Sequence, residues 1–148
     1  MPRPILAFIV MSAVIVTAAC SDGDSATTDP PAADVVLRIT TNGEVAADWT
    51  LAELEAAVEY TDLTIDGNDQ SGPLLLDVLE ASGIDQWQSA EILGMGEGRV
   101  FEVTLEVNSA DVDGGWILDV TKQGTLKLAS AELPREQWVR DVGEIRIP

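Results

Sequence analysis

The sequence predicts an α+β domain, a β-rich mixed fold with two short helices among six or seven strands. Three observations predict it. Several segments alternate apolar and polar residues with the period of two that half-buried strands require. Two stretches instead space their leucines as a helix does, each with its own start or stop signal. Short polar runs rich in Gly, Asn and Asp divide these segments, and this pattern fits strands mixed with a few helices.

The elements follow in order. Val35 to Thr40 is β-branched and partly alternating, and Asn42-Gly43 after it is a hairpin-type turn dipeptide. Thr50-Leu51-Ala52-Glu53 matches a capping box, with Thr50 as N-cap and Glu53 at N3. Leu51, Leu54 and Val58 then share one helix face. Val58 to Ile65 reads as extended and Asp66-Gly67-Asn68-Asp69 as a polar loop. Pro73 is placed in the first turn of a second helix, Leu74 to Ser82, that stops at Gly83. Ala90 to Gly94 is a short strand, Gly96-Glu97-Gly98 a turn, and Arg99 to Val107 an alternating strand. Trp116 to Thr121 and Thr125 to Ala129 flank the turn Lys122-Gln123-Gly124 as a hairpin, and Val142 to Ile147 closes the chain. No internal repeat is present.

Composition narrows the chemistry. The 148 residues contain 8 Lys and Arg, 26 Asp and Glu, one cysteine and no histidine, for a net charge of −18. Without histidine, Ser-His-Asp or Cys-His catalysis and His-ligated zinc or haem are excluded. One cysteine excludes an internal disulfide and any cysteine cluster. The negative charge argues against nucleic acid as a partner, because that binding neutralises phosphates with Lys and Arg. The 46% of hydrophobic residues suffices for a core of one ordinary domain.

The first 19 residues read as an address. Met1 to Pro4 carries one positive charge, Ile5 to Val16 is apolar, and small residues lead to Cys20. The apolar run is shorter than the ~20 residues of a spanning helix. Ala18-Ala19-Cys20 resembles a bacterial lipoprotein signal, or lipobox, with Thr17 where that family usually has Leu. The resemblance implies cleavage before Cys20 and acylation of its sulfur. The alternatives are a plain signal cut near Ala19 and an uncleaved anchor helix. Several acyl chains give the stable attachment that one chain does not. Residues 20–33 hold no apolar side chain larger than alanine beyond Cys20 itself and read as a flexible acidic tether. The domain proper is assigned to residues 34–148.

Four segments, in this order, resemble the molybdopterin-binding domain of the sulfite-oxidase type: TLAELEAAV at 50–58, SGPLLLDVLEASGI at 71–84, GEGRVFEVTLEVNSADVDGGWILDVTKQG at 96–124, and TLKLASAELPREQWVRDVGEIRI at 125–147. The order and spacing carry the resemblance more than any single motif. It implies a mixed α+β fold that buries a molybdenum-pterin cofactor, its metal held by the pterin dithiolene and one cysteine of a Cys-x-Gly-Asn stretch. Ile65-Asp66-Gly67-Asn68 is the matching stretch here and places Ile65 where the thiolate would be. The family's histidines and many of its basic residues are missing as well. The chain resembles the short secreted relatives that keep this fold with a reduced site.

Among the cations, Arg99, Arg135, Arg140, Lys122 and Lys127 offer phosphate- or carboxylate-binding groups. The resemblance singles out Arg99 and Arg140 as cofactor-binding candidates, against the plainer expectation of surface ion pairs. Trp49, Trp87, Trp116 and Trp138 could line a groove, but core packing is the favoured role. Asp66 to Asp69 and Asp111 to Gly114 are oxygen-rich turns, yet neither completes a calcium loop. No carboxylate pair is set apart by apolar flanks as a hydrolytic pair. No catalytic and no metal-ligating residue is assigned, and Cys20 is the lipid-attachment residue. The expected function is that of an exported envelope lipoprotein, a non-catalytic binding or accessory module that meets an envelope protein or a small ligand. The alternative is a molybdopterin-dependent oxidoreductase, or a subunit of one, that binds its cofactor without a cysteine ligand.

Overall fold

The computed structural model describes residues 31–95 and 104–148. Its elements are β1 (Leu37–Thr41), β2 (Glu44–Trp49), α1 (Leu51–Ala57), β3 (Tyr60–Ile65), β4 (Asn68–Pro73), α2 (Leu75–Ala81), β5 (Ser89–Gly94), β6 (Thr104–Asn108), β7 (Ile117–Val120), β8 (Leu126–Ala129) and β9 (Val142–Ile147). The α+β, β-rich class and the two helices agree with the sequence. The described strands number nine, two more than the upper expectation.

Both additional strands are returns from tight turns. Asn42 and Gly43 have φ of 52° and 83°, and Asp66 and Gly67 have φ of 51° and 73°. Two successive residues of positive φ make the turn whose twist suits a two-residue hairpin. The first turn brings β2 back along β1. The second brings β4 back along β3, from Ile65 opposite Asn68 to Tyr60 opposite Pro73. The stretch Asp66 to Asp69, expected as a loop, is therefore a two-residue turn plus the start of a strand. Pro73 ends that strand and does not open α2, which has Leu74 as its N-cap.

The helix signals read as expected. The Thr50 hydroxyl accepts from the Glu53 amide at 3.2 Å, and the Glu53 carboxylate accepts from the Thr50 amide at 2.9 Å. At the end of α2, Gly83 adopts φ of 78°, the Gly83 amide donates to the Glu80 carbonyl and the Ile84 amide to the Leu79 carbonyl. That pair of bonds is the Schellman closure that glycine permits.

The main sheet runs β2-β1-β9-β5-β6, with β8 joined to β9 and β7 to β8. β1 and β9 are parallel neighbours, so the first and last strands meet in the middle of the sheet. Leu37, Ile39, Ile92 and Ile145 on one sheet face pack with Leu54 of α1 and Leu75, Val78 and Leu79 of α2. The opposite face carries charges in cross-strand register. Arg38 stands between Asp48 and Glu144, and Arg146 stands opposite Glu91. Arg38 donates to both Asp48 carboxylate oxygens at 2.7 Å, and Arg146 to both of Glu144 at 2.9 Å.

Hydrogen bonding from Arg38 holds the Asp48 carboxyl below its ordinary range, with burial opposing and the guanidinium charge assisting. A depressed folded-state pKa stabilises above the unfolded carboxylate pKa near ~4 and is lost as pH falls through the folded value. Asp48→Asn is expected to cost about 1 kcal/mol at neutral pH. Urea unfolding of both proteins between pH 7 and pH 2 should show that difference shrink below about pH 4. A difference independent of pH contradicts this assignment.

Candidate functional site

Two wide grooves mark the described surface. One, of about 1030 Å³, lies over the charged face of the main sheet and is lined by Arg38, Arg146, Glu91 and Glu144. Its arginines are engaged by the carboxylates described above. The other, of about 1080 Å³, opens between the β3–β4 hairpin and the β7–β8 hairpin. This second groove gathers a larger share of the sequence-derived candidates.

Its hairpin wall consists of Asp62, Leu63 and Thr64 of β3 with Asp69, Gln70 and Ser71 of β4. The facing wall runs from Asp119 and Val120 through Lys122 to Thr125 and Lys127, with Arg140 and Asp141. The walls meet where β4 crosses β7. A Cβ at Gly72 would collide with the Leu118 carbonyl oxygen, so only glycine permits this approach. Beyond the crossing, Leu74 bridges to Ile117, and the Leu75 amide donates to the Trp116 carbonyl at 2.9 Å.

Asp119 ties the walls together. Its Oδ1 accepts from the Ser71 amide at 2.8 Å, and its Oδ2 pairs with Lys127 Nζ at 2.8 Å. Lys127 Nζ also stands 5.6 Å from the Trp138 ring centroid, as does the Arg135 guanidinium carbon. Both distances suit cation–π attraction. Trp138 is buried and donates from Nε1 to the Ser130 carbonyl at 3.1 Å. Thr64 donates to Asp69, and Thr121 and Thr125 share a hydroxyl hydrogen bond at 2.8 Å. Gln70 is buried, with Nε2 donating to the Asn68 carbonyl at 3.3 Å and Oε1 lacking a hydrogen-bond partner. Leaving a buried acceptor unpaired costs about 1–3 kcal/mol, a condition that Thr41 Oγ1 on β1 shares.

Arg140, Lys122 and Lys127 thus come to one groove, and Arg135 lies beside it over Trp138. Arg99, the turn Gly96 to Gly98 and Cys20 lie outside the described residues. Trp116 and Trp138 are core residues, and Trp49 and Trp87 pack partly buried against the core. The sequence reading did not find Gln70, Asp119 or the threonines. Asp119 did carry a signal, a carboxylate set inside the otherwise apolar Ile117-Leu118-Asp119-Val120.

Ile65 is buried in a small apolar cluster with Ile117, Ala129 and Trp138. It offers no lone pair to a metal at the position matched to the thiolate. Among the described residues no three carboxylate, thiol or imidazole groups are placed to hold a metal ion. Ile65 therefore does not fit the thiolate position of the molybdenum centre that the resemblance implies. The groove's chemistry is that of hydrogen bonding and charge pairing. No protein-family model matches the chain, and no curated protein matches it.

Proposed function

We propose that this chain is an exported, lipid-anchored binding or accessory module built on a reduced domain of the sulfite-oxidase molybdopterin type, and that it acts without redox catalysis. The observation that carries the reading is the apolar burial of Ile65 against Trp138 in a chain whose single thiol is Cys20 and which has no histidine. The groove between the two hairpins supports the binding half, because it joins basic, acidic and hydroxyl groups around the under-bonded Gln70. Its partner is an envelope protein or a small ligand. Among the described residues no helix is long and apolar enough to cross a membrane. The attachment we propose is through acyl chains on Cys20.

Protein from the native host is expected to carry neither stoichiometric molybdenum nor a pterin. Cys20→Ser is expected to move the protein from the membrane fraction to the soluble fraction, as read by fractionation and immunoblotting. An unchanged membrane fraction refutes acylation as the anchor.

A further inference from the structure

The main sheet has two edge strands, β2 and β6, and they differ. The register of β2 with β1 slips between Ile39 and Thr40, which leaves Ala46 as an extra residue on the edge. Such a bulge twists an edge away from further pairing. β6 carries no such device. It pairs with β5 without a slip, from Thr104 opposite Leu93 to Asn108 opposite Ser89. β5 is the only strand that pairs with it, and among the described residues its outward backbone groups make no hydrogen bond.

A groove of about 570 Å³ runs along that edge, and Leu105, Glu106 and Val107 line it in succession. Successive side chains of a strand point to opposite faces, so three in a row border one groove only along the strand's edge. The far side is formed by residues that follow β6 and by the connection between β8 and β9. Leu105 on the near side and Leu133 on the far side are only partly buried against the core, and they give the groove apolar surface.

The groove's charge has one sign. Glu106, Asp111, Asp113 and Glu132 line it, and no Lys or Arg is among its described residues. Asp111 accepts from the Asn108 side chain at 3.1 Å, Asp113 from the Gly115 amide at 2.7 Å and Glu132 from Trp116 Nε1 at 3.4 Å. None of these donors is a cation. Glu106 stands directly opposite Glu91, whose own cation, Arg146, is shared with Glu144. Like charges directly opposite destabilise a sheet, and a cation on a strand beyond β6 relieves this pair.

We infer that β6 receives an extended segment of a partner protein, which adds as a further strand and alternates basic with apolar residues. Its basic side chains meet Glu106 on one face of the sheet, and its apolar ones cover Leu105 and Leu133 on the other. Backbone hydrogen bonds supply the affinity, and the side chains select the partner, as in other cases of strand addition. A second copy of this chain does not suit the groove, because chains of net charge −18 repel one another. This rests on the reading of the domain as a binding module and names the class of its partner.

The test uses the full chain in detergent with three capped heptapeptides. One alternates lysine and valine, one is the same sequence N-methylated throughout, and one alternates glutamate and valine. Binding is read by fluorescence polarisation, and amide hydrogen exchange reports where the peptide sits. The lysine–valine peptide is expected to bind and to slow exchange at the β6 amides that the β5 ladder leaves open. N-methylation keeps the charge and removes the backbone donors, so it should weaken binding at least tenfold. Glu106→Lys should weaken binding by a similar factor while melting cooperatively, because it places a cation opposite Glu91. The proposal is overturned if the lysine–valine peptide does not bind, if either control peptide binds equally well, or if protection falls outside β6. Metal and pterin content of the same preparation separates the two levels. A loaded preparation overturns the binding-module reading, whereas an unloaded one that ignores the peptides overturns strand addition alone.

Discussion

Trp138→Ala is expected to lower stability by about 4 kcal/mol, the largest effect of any single substitution considered for this domain. The side chain is 1% exposed and is the largest fully buried one described. It forms the apolar cluster with Ile65, Ile117 and Ala129, so truncation leaves a cavity under both hairpins. It also removes the bond to the Ser130 carbonyl and the ring beneath Lys127 and Arg135. Urea unfolding followed by circular dichroism measures the loss. Trp138→Phe separates the contributions, because it keeps most of the apolar volume and loses the indole N–H, and it should cost about half as much. A loss below about 1 kcal/mol for the alanine variant would mean that the cluster does not hold the hairpins together.

Gly72→Ala is expected to cost about 3 kcal/mol, although it adds only one methyl group. The new Cβ meets the Leu118 carbonyl oxygen, which is backbone and cannot swing aside as a side-chain tip can. Relief requires β4 to move away from β7, and that motion strains the Leu74–Ile117 bridge and the bond from the Ser71 amide to Asp119. The same denaturation experiment measures the cost, with Gly43→Ala as a comparison. Gly43 has open space around its Cβ position and only its positive φ to lose, so its penalty should be smaller. Equal penalties at the two sites would contradict the close crossing of β4 and β7.

The fold was most legible where local chemistry decides the structure. Thr50 and Glu53 announce α1 because their reciprocal hydrogen bonds form within four residues. Gly83 ends α2 because its left-handed backbone angle favours a residue without a Cβ. Val142 to Ile147 sets one Val and two Ile among polar residues between turns, and β9 has the expected limits. β4 was hidden for the opposite reason. Asn68-Asp69-Gln70-Ser71-Gly72-Pro73 has the composition of a loop, and it becomes a strand because the Asp66-Gly67 turn returns it along β3. β2 was hidden in a milder way, since Glu44 to Trp49 offers few β-forming residues and follows only from its turn.

The groove was legible in its cations and not in its shape. Lys122, Lys127 and Arg140 could be named as candidates from charge alone. Their meeting with Gln70 and Ser71 depends on the crossing of β4 and β7, elements more than forty residues apart in sequence, as the 48-residue separation of Ser71 and Asp119 shows. No local pattern encodes such a contact. The cysteine count alone leaves residues 34–148 without a thiol, and the structure adds what surrounds Ile65: an indole ring and two aliphatic neighbours.

We propose that this domain works without the metal centre that the resemblance implies. The most direct measurement is the molybdenum and pterin content of the full chain purified from its native host, by mass spectrometry for the metal and by fluorescence of the oxidised pterin. Well under one equivalent of each per chain is expected. One equivalent of molybdenum together with one of pterin would contradict it and establish the oxidoreductase alternative.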